Sequence, residues 1–76
     1  MKLIVRDILM PKEDGLPLHP SVRPNDRITM AVRLMLENEI KRIAVVLNRE
    51  QIGTVHLDDA IRRLGLRITP PNRPDN

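Results

Sequence analysis

The groups in this chain best spaced for chemistry lie between Ile40 and Leu64. Lys41-Arg42 precede an apolar run from Ile43 to Leu47, and a polar turn from Asn48 to Gln51 follows. A second strand through Ile52, Gly53 and Val55 ends at His56, and a short helix opens at the acidic pair Asp58-Asp59. A strand-turn-strand-helix unit of this size brings strand ends, a glycine and a helix N-terminus into one small cleft. Its residue types suit binding better than catalysis. His19 and His56 are the only histidines, and no carboxylates stand at metal-ligand spacing from them. Ser21 is the sole serine and lacks a glycine-elbow context. The three glycines are isolated, so no phosphate loop forms. Asp58 and Asp59 are chain neighbours that diverge from a helix start, unlike a carboxyl pair sharing one proton. The expectation is a non-enzyme with no catalytic residues and no metal.

The 76 residues make one small domain over 1–67. A chain near this length buries only about 60% of its unfolded surface. With no cysteine, disulfides and thiolate zinc sites are both excluded, which leaves oligomerisation as the readiest further stabiliser. The absence of Phe, Tyr and Trp removes binding modes that stack nucleic-acid bases on those rings. Thirteen Lys and Arg against ten Asp and Glu give a formal charge of +3, but the charges are dispersed. A solvated, mildly basic surface accounts for them better than a nucleic-acid grip. The apolar run near the N-terminus, Leu3-Ile4-Val5, is too short for an export signal or a membrane span. A cytoplasmic setting without membrane insertion is therefore the default expectation.

Along the chain, Leu3-Ile4-Val5 is β-prone, and Arg6 to Met10 reads as one helical turn that Pro11 ends. Leu16 to Val22 reads as an edge strand or irregular extended segment, because Pro17 and Pro20 cannot donate to a ladder. Pro24-Asn25-Asp26 signals a helix start, with Asp26 placed to cap it. Ile28, Ala31, Val32 and Met35 define one apolar face; Thr29, Arg33 and Glu37 lie opposite, Arg33 and Glu37 at ion-pair spacing. Met30, Leu34 and Leu36 widen the apolar stripe, as ordinary core plus exposed side chains or as a face for a second subunit. In the last helix Leu57, Ala60, Ile61 and Leu64 share a face, and Gly65 ends it. Residues 68–76, with three prolines, read as a tail that is disordered or docked on a partner. The coarse order is β-turn-β-α-β-β-α, an α+β domain.

Five blocks in this order resemble the cystathionine-β-synthase (CBS) domain. Val5-Arg6-Asp7-Ile8-Leu9-Met10-Pro11 is similar to the family's Asp-Ile-Met-Thr opening, with Met10 at the threonine position. Val22-Arg23-Pro24-Asn25 resembles its Val-x-Pro-Asp approach to the first helix, which then carries Ala31 and Leu34-Met35. Ile40 to Val46 follows the Ile-x-x-Leu-Pro-Val-Val block with Ala44 replacing proline, and Gly53 to Ala60 follows Gly-x-Val-Ser/Thr-x-x-Asp-Ile with His56 at the hydroxyl position. The resemblance covers residues 3 to 65 as a single motif and implies a three-stranded sheet with two helices packed on it, β-α-β-β-α.

The resemblance also implies a function. Members of the family bind AMP, ADP, ATP or S-adenosylmethionine in clefts of a two-copy assembly. Asp59 corresponds to the carboxylate that accepts ribose hydroxyls, an acceptor-only role; the alternative is a helix cap supplied by Asp58 or Asp59. Lys41 and Arg42 correspond to phosphate-reaching positions, Arg with two donors and Lys with one compact charge; the alternative is a solvated pair. His56 either donates to phosphate, crowds the cleft, or stands exposed at a strand end. The base is expected against Ile8, Ile43 and Val45. A homodimer through Met30 and Leu34 would complete the cleft and regulate an enzyme or transporter. The rival expectation is an interaction module with a degenerate pocket that binds no nucleotide; nucleic acid ranks last among ligands.

Overall fold

The computed structural model describes residues 3–65, so the tail expected over 68–76 lies outside the described residues. Three strands form one sheet in the order β1 (Ser21–Val22), β2 (Arg42–Leu47), β3 (Glu50–His56). β1 runs parallel to β2, and β2 is antiparallel to β3. Two helices, α1 (Ile28–Glu37) and α2 (Leu57–Leu64), pack on one face of the sheet and on each other. This is the expected α+β architecture, with β1-α1-β2-β3-α2 in chain order.

The buried face of α1 is the one its periodicity predicts: Ile28, Ala31, Val32 and Met35 are all buried. They meet Val22, Ile43, Val45 and Val55 from the sheet, Ala60 from α2 and Val5 from the N-terminal segment. Each α1 residue brings apolar area out of water, and α1 and the sheet supply four residues each to the core. The start of α1 differs from expectation. Its N-cap is Arg27, which makes no side-chain cap. Asp26 instead accepts the Arg23 amide at 2.8 Å, closing the turn before the helix. The free amide of Ile28 goes to the Leu3 carbonyl at 3.1 Å, so the N-terminal segment does the capping. Arg33 and Glu37, though correctly spaced, form no ion pair among the described residues.

At the other end of α1 the chain turns through Glu39 at φ 56°. The Glu39 amide returns to Leu36 and the Ile40 amide to Met35, the double hydrogen bond that closes a helix with a left-handed residue. The hairpin is tighter than its polar stretch suggests. Asn48 and Arg49 alone form the turn, with φ of 52° and 68°, and Glu50 and Gln51 already belong to β3. Two positive φ values match a type I′ turn, whose twist suits the flanking strands. A bulge at Ile52 then shifts the register, from Val46 opposite Gln51 to Val45 opposite Gly53.

The N-terminal segment also departs from the sequence reading. Leu3-Ile4-Val5 is not a strand; Ile4 makes one bridge to Arg27, and a 3-10 helix spans Val5–Ile8. The helical turn therefore ends before Leu9 rather than at Pro11. Leu9 and Met10 run extended along β3, and Met10 exchanges two 2.9 Å backbone hydrogen bonds with Thr54. Gly53 makes this possible, because a Cβ there would lie 2.7 Å from the Met10 carbonyl and 2.8 Å from Leu9 Cγ. In α2 only Ala60 is fully buried; Leu57, Ile61 and Leu64 are half-covered. Gly65, at φ 71°, ends the helix as its position predicts.

Candidate functional site

One end of the sheet gathers the charged residues. β2 begins there at Arg42, β3 ends at His56, and α2 starts at the next residue. A 2.8 Å hydrogen bond from the Leu57 amide to the Lys41 carbonyl locks the strand start to the helix start. Two adjoining clefts open at this corner. One, of about 350 Å³, is lined by Lys41, Arg42, His56, Asp58, Asp59 and Arg62. The other, of about 400 Å³, lies between the N-terminal segment (Asp7, Ile8, Leu9, Met10) and the α2 residues Asp59, Arg62 and Arg63. Asp59 and Arg62 line both, so they stand on the ridge between a charged half and a mixed half in which Ile8, Leu9 and Met10 supply the apolar wall.

Of the residues expected to bind, Ile8, Lys41, Arg42, His56 and Asp59 therefore meet around one double cleft. Ile43 and Val45 do not. They are 1% and 0% exposed and point into the core beneath the helices. The cause is the two-residue period of a strand: Arg42 and Ala44 face one side of the sheet, Ile43 and Val45 the other. No base can rest on Ile43 or Val45 without opening the core, and the apolar wall of the cleft comes from Ile8, Leu9 and Met10 instead.

Neither aspartate caps α2, whose N-cap is His56 without a side-chain bond. Asp58 and Asp59 sit in its first turn, where the helix dipole favours negative charge. Asp59 Oδ1 accepts from Arg62 Nη1 at 3.2 Å, an i,i+3 pair readable from the sequence. Glu13 is the contributor that sequence reasoning missed. Its carboxylate accepts from Arg42 Nη1 at 3.2 and 3.3 Å and lies 3.6 Å from His56 Nε2. The Gln51 amide, oriented by its hydrogen-bonding surroundings, brackets the Glu13 backbone, donating to its carbonyl and accepting from its amide, each at 3.2 Å. Glu13 thus lies over the sheet face opposite the helices, where Ala44 and Thr54 are paired and fully buried.

The dimer residues fare differently from each other. Met30 is 40% exposed, whereas Leu34 is partly buried against the chain's own core. Elsewhere a groove of about 780 Å³ beside β1 carries His19, Ser21, Arg23 and Arg49. Among the described residues no set of His, Cys, Asp or Glu is arranged to hold a metal ion, and no helix is long and apolar enough to cross a membrane.

Comparison with known proteins adds one finding. The family model for the CBS domain matches residues 5–66, which takes in every element described above. No curated protein and no solved structure matches the chain.

Proposed function

Since the chain belongs to the CBS domain family, a family of regulatory modules, we propose that it senses an adenosine compound as a pair of identical chains. The ligand is AMP, ADP, ATP or S-adenosylmethionine, and the double cleft at the β2–β3–α2 corner receives it. The observation that carries this reading is the meeting of Ile8, Lys41, Arg42, His56 and Asp59 around that corner, from three separate parts of the chain. Asp59 accepts the ribose hydroxyls, Lys41 and Arg42 face the phosphates, and Ile8 with Leu9 and Met10 supplies an aliphatic bed for the base. A second copy closes the open side of the cleft. Binding then favours one arrangement of the two chains over another, and a partner enzyme or transporter reads the difference. We place the module in the cytoplasm and assign it no catalysis.

Thermal unfolding with AMP, ADP, ATP and S-adenosylmethionine tests the reading. A ligand at 100 times its Kd adds about 2.7 kcal/mol of stability, several degrees in a domain this small. Asp59→Asn removes the carboxylate's acceptor charge and is expected to abolish the shift while leaving the unliganded Tm within a few degrees. An undiminished shift in Asp59→Asn overturns the ribose contact.

A second reading has its own support. Asp59 is held by Arg62, and Arg42 and His56 by Glu13, so most charged groups of the corner already have partners within the chain. On that reading the module pairs and docks without a nucleotide. Absence of any shift across the panel, with a dimer intact, selects it.

A further inference from the structure

We propose that Glu13 is a resident counter-ion of the charged cleft, and that a ligand's phosphate binds by displacing it. The inference rests on the cleft being an anion site, as in the proposed function, but does not depend on which nucleoside carries the phosphate. Around the cleft Lys41, Arg42 and Arg62 bring three positive charges against two negative ones from Asp58 and Asp59. The Glu13 carboxylate is not part of the cleft lining but reaches its rim from the sheet face opposite the helices, where it cancels the remaining charge at Arg42 and lies beside His56. A carboxylate and a phosphate present the same kind of oxygen to a guanidinium, so both compete for the Arg42 Nη1 donor.

The geometry suits exchange. Glu13 and Arg42 side chains are 32% and 55% exposed, and ion pairs this open to water are weak. The carboxylate sits on the segment 11–20, whose ends are each fixed to the sheet, at Met10 through Thr54 and at Ser21 through Ala44. Between those anchors the chain turns at Asp14-Gly15, with Gly15 at φ 84°. The Glu13 side chain can therefore rotate off Arg42 while its backbone stays held by Gln51 and the ends of its segment stay hydrogen-bonded to β2 and β3. The result is a site that discriminates by charge. A monoanion gains little over the carboxylate already present, whereas a pyrophosphate group brings more charge than it replaces.

Calorimetric titration with inorganic pyrophosphate, ADP and adenosine decides the point, using the wild-type chain and Glu13→Gln. Glu13→Gln is expected to tighten pyrophosphate by about fivefold, the measure of one exposed ion pair, and to leave adenosine unchanged. Asp14→Asn removes a neighbouring loop charge that makes no ion pair with Arg42 or His56, and it is expected to change pyrophosphate affinity less than twofold. Adding Arg42→Gln to Glu13→Gln is expected to erase the gain. Pyrophosphate binding that is equal in wild type and Glu13→Gln, or absent from both, overturns the inference. So does a gain matched by Asp14→Asn or kept without Arg42. Tightened pyrophosphate with no preference for ADP supports Glu13 as counter-ion and defeats the adenosine reading alone.

Discussion

Single residues decide how the N-terminal segment meets the sheet. Gly53 lies where Leu9 and Met10 cross β3, and the nearest backbone atom, the Met10 carbonyl, has no freedom to retreat because it accepts the Thr54 amide. Gly53→Ala is expected to destabilise the domain by about 1–3 kcal/mol, the range for overpacking a filled site. Urea unfolding measures it. A midpoint equal to that of the wild type would mean that Leu9-Met10 does not occupy this position in solution. Residue chemistry also explains the least legible part of the site. Asp59 and Arg62 are three positions apart on one helix, so their pairing follows from spacing. Glu13 and Arg42 are 29 positions apart and meet only because the intervening chain makes a strand, a crossover helix and a second strand. No local pattern announces such a contact.

At the scale of elements, α1 was the most readable, since a 3.6-residue period over Ile28 to Met35 has one solution. Sheet residues were half-readable. The apolar run Ile43 to Val46 marks a buried strand, yet a continuous run does not say which side faces the helices. The burial of Ile43 and Val45 against the helices settles it, and the register of β3 on that strand depends on a bulge at Ile52 that no residue type signals. The hairpin carries a testable strain. Arg49 occupies a left-handed position in a type I′ turn, where Asn-Gly is the favoured pair. Arg49→Gly is expected to stabilise the chain by about 0.5–1 kcal/mol, the left-handed penalty less the extra freedom glycine has when unfolded. A fall in Tm would contradict the turn assignment.

For the whole molecule, the decisive property is whether it pairs. Leu34 is a poor probe because it packs against the chain's own core, so Leu34→Glu damages the fold whatever its role between subunits. Met30 is the better one. Its side chain is exposed on α1, beside Arg27 and Arg33, and the monomer loses little when it changes. Met30→Glu is expected to keep the far-ultraviolet spectrum and halve the solution mass measured by sedimentation equilibrium. A variant whose mass equals that of the wild type would remove Met30 from the proposed pairing surface.

Met10, Thr54, Ala44 and Ser21 lie in one row across the sheet, joined by successive backbone pairings. The earliest and latest parts of that row are thus far apart in order of synthesis. On a ribosome, which releases its product from the N-terminus, Leu9 and Met10 have nothing to lie against until Thr54 has emerged. The corner that gathers Ile8 with Asp59 and Arg62 is accordingly assembled only after α2 has been made, and a product truncated before β3 lacks it.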